Sequence, residues 1–254
     1  MTRIALALSP HLDDAVFSCG GTLALLSAAG WQVVVATLFT RSVPSPAGFA
    51  LACQLDKGLD AGTDYMALRR VEDDRACALL GATPRWMPLA EAPHRGYNSA
   101  AALFGPLLAT DPAPAELSLA IGTLLDDVAP DLLLAPQAIG GHVDHVQTAR
   151  SLLARTSLPP VLWWRDFPYV LRDADRPPLA RALQGASTLD VEVPPEPKGA
   201  ACASYRSQLG FQFGGRDGLA RRLAELHGTE RFLCARPADL PPAIRPRSLQ
   251  ASHS

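Results

Sequence analysis

The apolar positions of this chain fall into short unbroken runs separated by longer stretches of helical period. Ile4 to Leu8 is the first run, and residues 3–9 read as a buried strand. From Val16 to Ala29 the apolar residues recur as on a helix that stops near Gly30, and Asp13 or Asp14 can cap its start. Gln32 to Phe39 reads as a second buried strand, and Tyr65 to Leu80 as a helix closed by Gly81. Arg85 to Leu89 predicts a short strand, Pro114 to Val128 a helix, Asp131 to Ala135 a strand and Val143 to Ala154 a helix. Further on, Val161 to Trp164, Ser187 to Val193 and Glu230 to Ala235 read as strands, with helices over Lys198 to Leu209 and Gly218 to Leu226. Residues 41–64 and 90–113 have weak periodicity and read as long loops, a kind of segment that often carries function.

Strand and helix alternate through most of the chain. That pattern predicts an α/β fold, Rossmann-like in outline, with a mostly parallel sheet covered by helices on both faces. No internal repeat or linker divides it, so one domain is expected over residues 1–236, followed by a loosely ordered, proline-rich tail over 237–254. No G-x-G-x-x-G follows the first strand, which removes the phosphate-binding turn a dinucleotide site needs.

Composition narrows the function classes. The chain has 254 residues, 48% of them hydrophobic, and a formal charge of −2, so no basic field points to nucleic acid or an anionic membrane. Lys57 and Lys198 are the only lysines, which reads as a bias of the source. The five cysteines are scattered and odd in number, which favours buried free thiols over a disulfide framework. The first residues do not read as a secretory signal, no run approaches the length of a membrane span, and a cytoplasmic protein is expected.

Candidate chemistry sits at two places where a strand turns into a helix. The first is Ser9-Pro10-His11-Leu12-Asp13-Asp14; the second is Gly140-Gly141-His142-Val143-Asp144-His145. In a parallel sheet both lie at the carboxyl edge, where ligands bind. Taken singly, each is ambiguous: paired acids ahead of an apolar helix commonly serve as a cap, and a His-x-x-His can be a solvated helix start. Together they predict one catalytic metal, with zinc as the expected ion and Fe2+ or another divalent metal as alternatives. His11, Asp14 and His145 supply the three protein ligands such a site takes, and Asp13 faces the attacking water.

These motifs resemble the LmbE-like (PIG-L) family of zinc-dependent N-acetylglucosaminyl deacetylases. The resemblance extends to Arg69-Arg70-Val71-Glu72 and, more weakly, to Tyr205-Arg206-Ser207-Gln208 and Glu230-Arg231-Phe232. It implies His11, Asp14 and His145 as zinc ligands and Asp13 as general base. His142 would stabilise the oxyanion or deliver a proton, as an imidazolium held by Asp144, and Arg69 would contact sugar hydroxyls. Leu12 and Ala15 stand where many members have proline and glutamate. Gly140 stands where some have a tyrosine that helps polarise the carbonyl, a role Tyr97 or Tyr169 could supply. The implied activity is removal of acetyl from an N-acetylated amino sugar or its conjugate, on a small-molecule substrate. The rivals are an amidase acting on a sugar-containing thiol conjugate, a non-catalytic metal-containing binding domain and a nucleotide-binding enzyme.

Overall fold

The computed structural model describes residues 2–173 and 178–244. Its seven strands form one sheet in the order β3-β2-β1-β4-β5-β7-β6: β1 Ile4–Ser9, β2 Gln32–Thr37, β3 Ala82–Trp86, β4 Leu132–Pro136, β5 Val161–Trp164, β6 Ser187–Glu192 and β7 Thr229–Cys234. The first five are mutually parallel; β7 runs antiparallel to β5, and β6 antiparallel to β7. Strand alternation sorts the core into two layers. Ala5, Ala7, Val33, Val35, Leu132 and Leu134 face one way; Leu6, Leu8, Val34, Ala36, Leu133 and Ala135 face the other.

On the first face lie α1 Asp14–Ala28, α3 Tyr65–Leu79, α8 Pro195–Cys202, α9 Arg206–Phe213 and α10 Arg216–Ala224. On the second lie α5 Ala113–Val128 and α6 Val143–Leu153. The single turn α7 Val170–Asp173 joins the first face through Val170, and the connections also hold α2 Gly48–Leu55 and the single-turn α4 Ala100–Leu103. The mostly parallel sheet with helices on both faces is the architecture the pattern predicts.

Strand order reverses between β1 and β4. The chain leaves β1 toward β2 and β3 on one side, and β4 and β5 lie on the other. Ligands gather at such a switch point, outside the carboxyl ends of the strands. Both candidate turns emerge there, from neighbouring strands.

Several elements differ from expectation. β3 begins directly after Gly81, three residues ahead of the expected strand, because α3 ends on that left-handed glycine (φ 66°). It is an edge strand, where Pro84 is tolerated and a strong apolar signal is not needed. The loop over 41–64 contains α2. The helix expected over Lys198 to Leu209 is two helices, interrupted at Tyr205, whose buried hydroxyl donates to Asp73 Oδ1 at 2.7 Å. The segment from Pro237 to Ile244 is not loose: it forms two 3-10 turns and places Leu240 and Ile244 in the core. Residues 245–254 of the expected tail lie outside the described residues.

Helix α1 is itself broken at Cys19 (φ −135°, ψ 20°). The amides of Gly21 and Thr22 donate instead to the Glu230 carboxylate of β7, at 2.9 and 2.7 Å, and Lys198 Nζ donates to the same carboxylate at 2.7 Å. A buried carboxylate paired in this way ends one short helix and caps the next.

Candidate metal centre

The turn after β1 is held by its own atoms. Ser9 Oγ donates to the His11 carbonyl (2.7 Å) and accepts from Ala15 N (3.0 Å), while the His11 amide donates to Asp14 Oδ2 (2.8 Å). The cost of this tight path falls on Asp13, a non-glycine residue at φ 151°. Backbone strain of that kind survives only where the surroundings over-determine it, and it clusters at functional sites. The turn after β4 takes another route, through left-handed Ala138, Gly140 and Gly141. His142 then caps α6, its Nδ1 accepting from Asp144 N at 3.2 Å.

Three histidines and a carboxylate meet between the turns. The ligand nitrogens of His11, His142 and His145 lie within 4.8 Å of one another. Asp14 Oδ2 is 3.1 Å from His11 Nδ1 and 3.2 Å from His145 Nε2. Donors about 2.1 Å from a tetrahedral cation stand about 3.4 Å apart, so these spacings fit one. His145 Nε2 is buried and makes no hydrogen bond, an orphaned donor atom aimed at the place a cation would fill. Each of these two histidines has a carboxylate behind it: His11 Nε2 meets Asp144 Oδ2 at 2.9 Å, and His145 Nδ1 meets Asp166 Oδ1 at 2.8 Å. Backing of this kind fixes ring orientation and strengthens a ligating imidazole.

The electrostatics suit positive charge. Burial by itself would lower the His145 pKa, but the carboxylates of Asp14 and Asp166 outweigh it and lift it to about 9. His11 is likewise raised, against burial, by Asp14 and Asp144. Asp14 is held well below the carboxylate range by the two histidines, against the opposing effect of burial. His142 behaves oppositely: burial, reinforced by the charge of His11, pushes it down to about 3. Burial pushes Asp13 up to about 7, with Arg69 pulling the other way.

The candidate residues separate into those the structure gathers and those it sends elsewhere. His11, Asp13, Asp14, His142 and His145 converge. Asp144 is close, but its carboxylate serves His11, Arg95 Nη2 (2.6 Å) and the Ala92 amide (3.1 Å), not the His142 ring. An Nδ1 that accepts a backbone N–H, together with a pKa pushed down by burial, favours a neutral His142 ring over the expected imidazolium held by Asp144. Arg69 is 4% exposed and turned inward: Nη2 donates to the Leu12 carbonyl (2.7 Å) and lies 3.3 Å from Asp13 Oδ1, while Nη1 pairs with Glu91 (2.9 Å). Both terminal nitrogens therefore brace the strained turn and its neighbour Glu91, while Nε has no partner among the described residues. Tyr97 is buried too, its hydroxyl donating to Asp111 Oδ2 at 2.9 Å in a network with Gln147 behind Asp144.

Tyr169 does reach the site, its ring edge-on to His145 at 5.6 Å. A side chain at Gly140 would meet it, since a Cβ there would stand 2.8 Å from that of Tyr169. The ring of Tyr169 fills the space a side chain at residue 140 would enter.

Two residues that contact the candidate site lie outside the expected set. Asp166 follows β5 just as His11 follows β1, so the same reasoning about the carboxyl edge extended by one strand would have found it. Gln212, whose Nε2 donates to Asp13 Oδ2 at 3.2 Å, comes from the end of α9 and carries no comparable signal.

Comparison with known proteins agrees with this centre. The PIG-L family, described as GlcNAc-PI de-N-acetylase, matches residues 6–155, which include both turns. The chain is 35% identical over 174 residues to 2'-N-acetylparomamine deacetylase of Streptomyces fradiae; the match covers 66% of this chain and 59% of that protein. Among solved structures, A40926 pseudoaglycone deacetylase superposes with a TM-score of 0.78 at 30% identity, covering 91% of this chain and 96% of its own. The zinc-inhibited form of teicoplanin deacetylase gives 0.77 at 28% identity, covering 91% and 97%. With the family match spanning more than half of its length and both metal turns, this chain belongs to the PIG-L family.

Proposed function

We propose that this protein is a zinc-dependent hydrolase that removes acetyl from an N-acetylated amino sugar or its conjugate. The observation that carries the reading is the meeting of Asp14, His11 and His145 at tetrahedral spacing, with Asp13 strained beside them. Family membership and the deacetylases among its relatives support it. Zinc held by His11, Asp14 and His145 would polarise the amide carbonyl and acidify the attacking water.

The chain's own groups then have distinct tasks. Asp13 takes a proton from the attacking water. Arg69 and Gln212 hold its two oxygens, and burial places its pKa near neutrality, where a base works best. His142 has its ring proton on Nε2, since Nδ1 accepts the Asp144 amide, and that N–H donates to the developing oxyanion as a neutral ring. A neutral imidazole with a low pKa has no spare proton to give. Asp13 therefore passes the proton it received to the departing nitrogen as the C–N bond breaks, giving acetate and the free amine. No helix among the described residues is long and apolar enough to cross a membrane.

The test is acetate and amine release from N-acetylglucosamine derivatives, with metal content measured on the same sample. Turnover should vanish with a chelator and return with zinc. Stoichiometric metal with no release from any N-acetyl sugar would leave a binding domain as the better reading, and fuller restoration by Fe2+ than by zinc would reassign the ion.

A further inference from the structure

Beside the histidines the protein opens into a cavity of about 510 Å3. Two of its lining residues touch the metal centre: Tyr169, which lies against His145, and Gln212, which holds Asp13. Its remaining wall includes Phe104, Pro168 and Phe211, with Arg172 beside the Tyr169 ring. The two phenylalanines are 46% and 62% exposed. Large apolar rings left in water at the entrance to a polar site mark a contact surface.

These rings are held in place. Phe104 stands edge-on to His142 at 5.4 Å and to Tyr169 at 5.9 Å. Phe211 carries the Lys57 ammonium 4.8 Å from its centroid, and that ammonium also lies 5.4 Å over Tyr65. Surfaces fixed beforehand lose less on binding. Sugar hydroxyls need polar partners, which Tyr169 and Arg172 can offer and phenylalanine rings cannot. With the acetamido group at the histidines, the rings face whatever the sugar is attached to. A cavity of this size also falls in the range that takes a ligand larger than one amino sugar.

Resting on the deacetylase reading, we propose that this mouth selects N-acetyl amino sugars bearing an apolar aglycone, seated on Phe104 and Phe211. The two rings are specificity-determining and take no part in proton transfer.

The experiment compares the methyl, octyl and phenyl glycosides of N-acetylglucosamine as substrates of the metal-loaded enzyme. The octyl or phenyl glycoside should exceed the methyl glycoside in kcat/KM by roughly tenfold or more, a typical discrimination for an apolar subsite. Preference for one of the two separates an alkyl from an aryl aglycone. Phe211→Ala, and Phe104→Leu as the milder change beside His142, should move that ratio toward one. Equal kcat/KM on all three glycosides overturns the proposal, as does a ratio that survives both substitutions. Binding of the three is measured in parallel by calorimetry. Absence of turnover on every glycoside would count against the deacetylase reading, and the Kd values would then decide this one: tighter binding of octyl or phenyl, lost in the variants, sustains it, and equal Kd values overturn it.

Discussion

The two metal turns begin alike, each at the end of a buried parallel strand, and they are closed differently. The turn after β1 closes on its own atoms, with Arg69 bracing it from α3: Ser9, His11 and Asp14 bond one another, and the strain of that closure falls on Asp13. The turn after β4 is supported from outside: Asp166 reaches in from the end of β5 to fix His145, and Gly140 yields its side-chain space to Tyr169. Histidines can be presented from either construction. The proposed base sits on the self-bonded turn, where a carboxylate must be held against its own backbone preference.

That contrast can be broken at the ligands, where the largest effects lie. Asp14→Ala and His145→Ala take one proposed ligand from each turn, and both should lose metal and fall to background turnover in a paired metal and activity assay. Metal and activity retained in either would remove that turn from the centre. The next effect belongs to the first turn alone. Asp13→Asn keeps the shape and cannot accept a proton, so kcat should drop by about 10²–10⁴ with metal content unchanged. If Asp13→Asn sheds the metal and Asp14→Asn keeps it, the two aspartates have exchanged roles.

Smaller effects probe the outside support. Asp166→Asn should weaken metal affinity by about 10–100-fold with secondary structure intact, as measured by chelator competition. Among the described residues no equivalent single group outside the first turn backs Asp14, whereas Asp144→Asn acts on His11 and should cost thermal stability as well, because it also releases Arg95 and the Ala92 amide. The smallest effect is steric. Gly140→Ala places a Cβ 2.8 Å from that of Tyr169 at φ 90° and should destabilise by about 1–3 kcal/mol. In a Tyr169→Ala background the loss should shrink to the backbone part; an unchanged loss there would show that the two residues do not share the space.

Much of this was legible in the chain. β1, β2, β4 and β5 are buried on both faces and so appear as continuous apolar runs, and the two His/Asp motifs are fixed to the ends of two of them. Position at the sheet edge was therefore readable for His11, Asp14 and His145. Direction was not. Arg69 and Tyr97 are residue types that bind sugars, yet nothing in their sequence neighbourhood shows that one faces the Leu12 carbonyl and the other Asp111. The Asp144 carboxylate was assigned to the nearer histidine in sequence, but a helix start turns it to His11, 133 residues away. Gln212 was hidden because its contact depends on how α9 packs across the sheet edge, a property of the whole topology.

The break in α1 at Cys19 has a consequence for the order in which the site can be finished. Asp13 and Asp14 open that helix, and the amides freed by the break are satisfied by Glu230, more than 200 positions later. Contacts that close so long a loop form late in folding. On the ribosome the first turn of the centre emerges well before the carboxylate that secures its supporting helix. A chain halted before Thr229 already carries every proposed metal ligand, but it still lacks the carboxylate that completes the helix behind one of them.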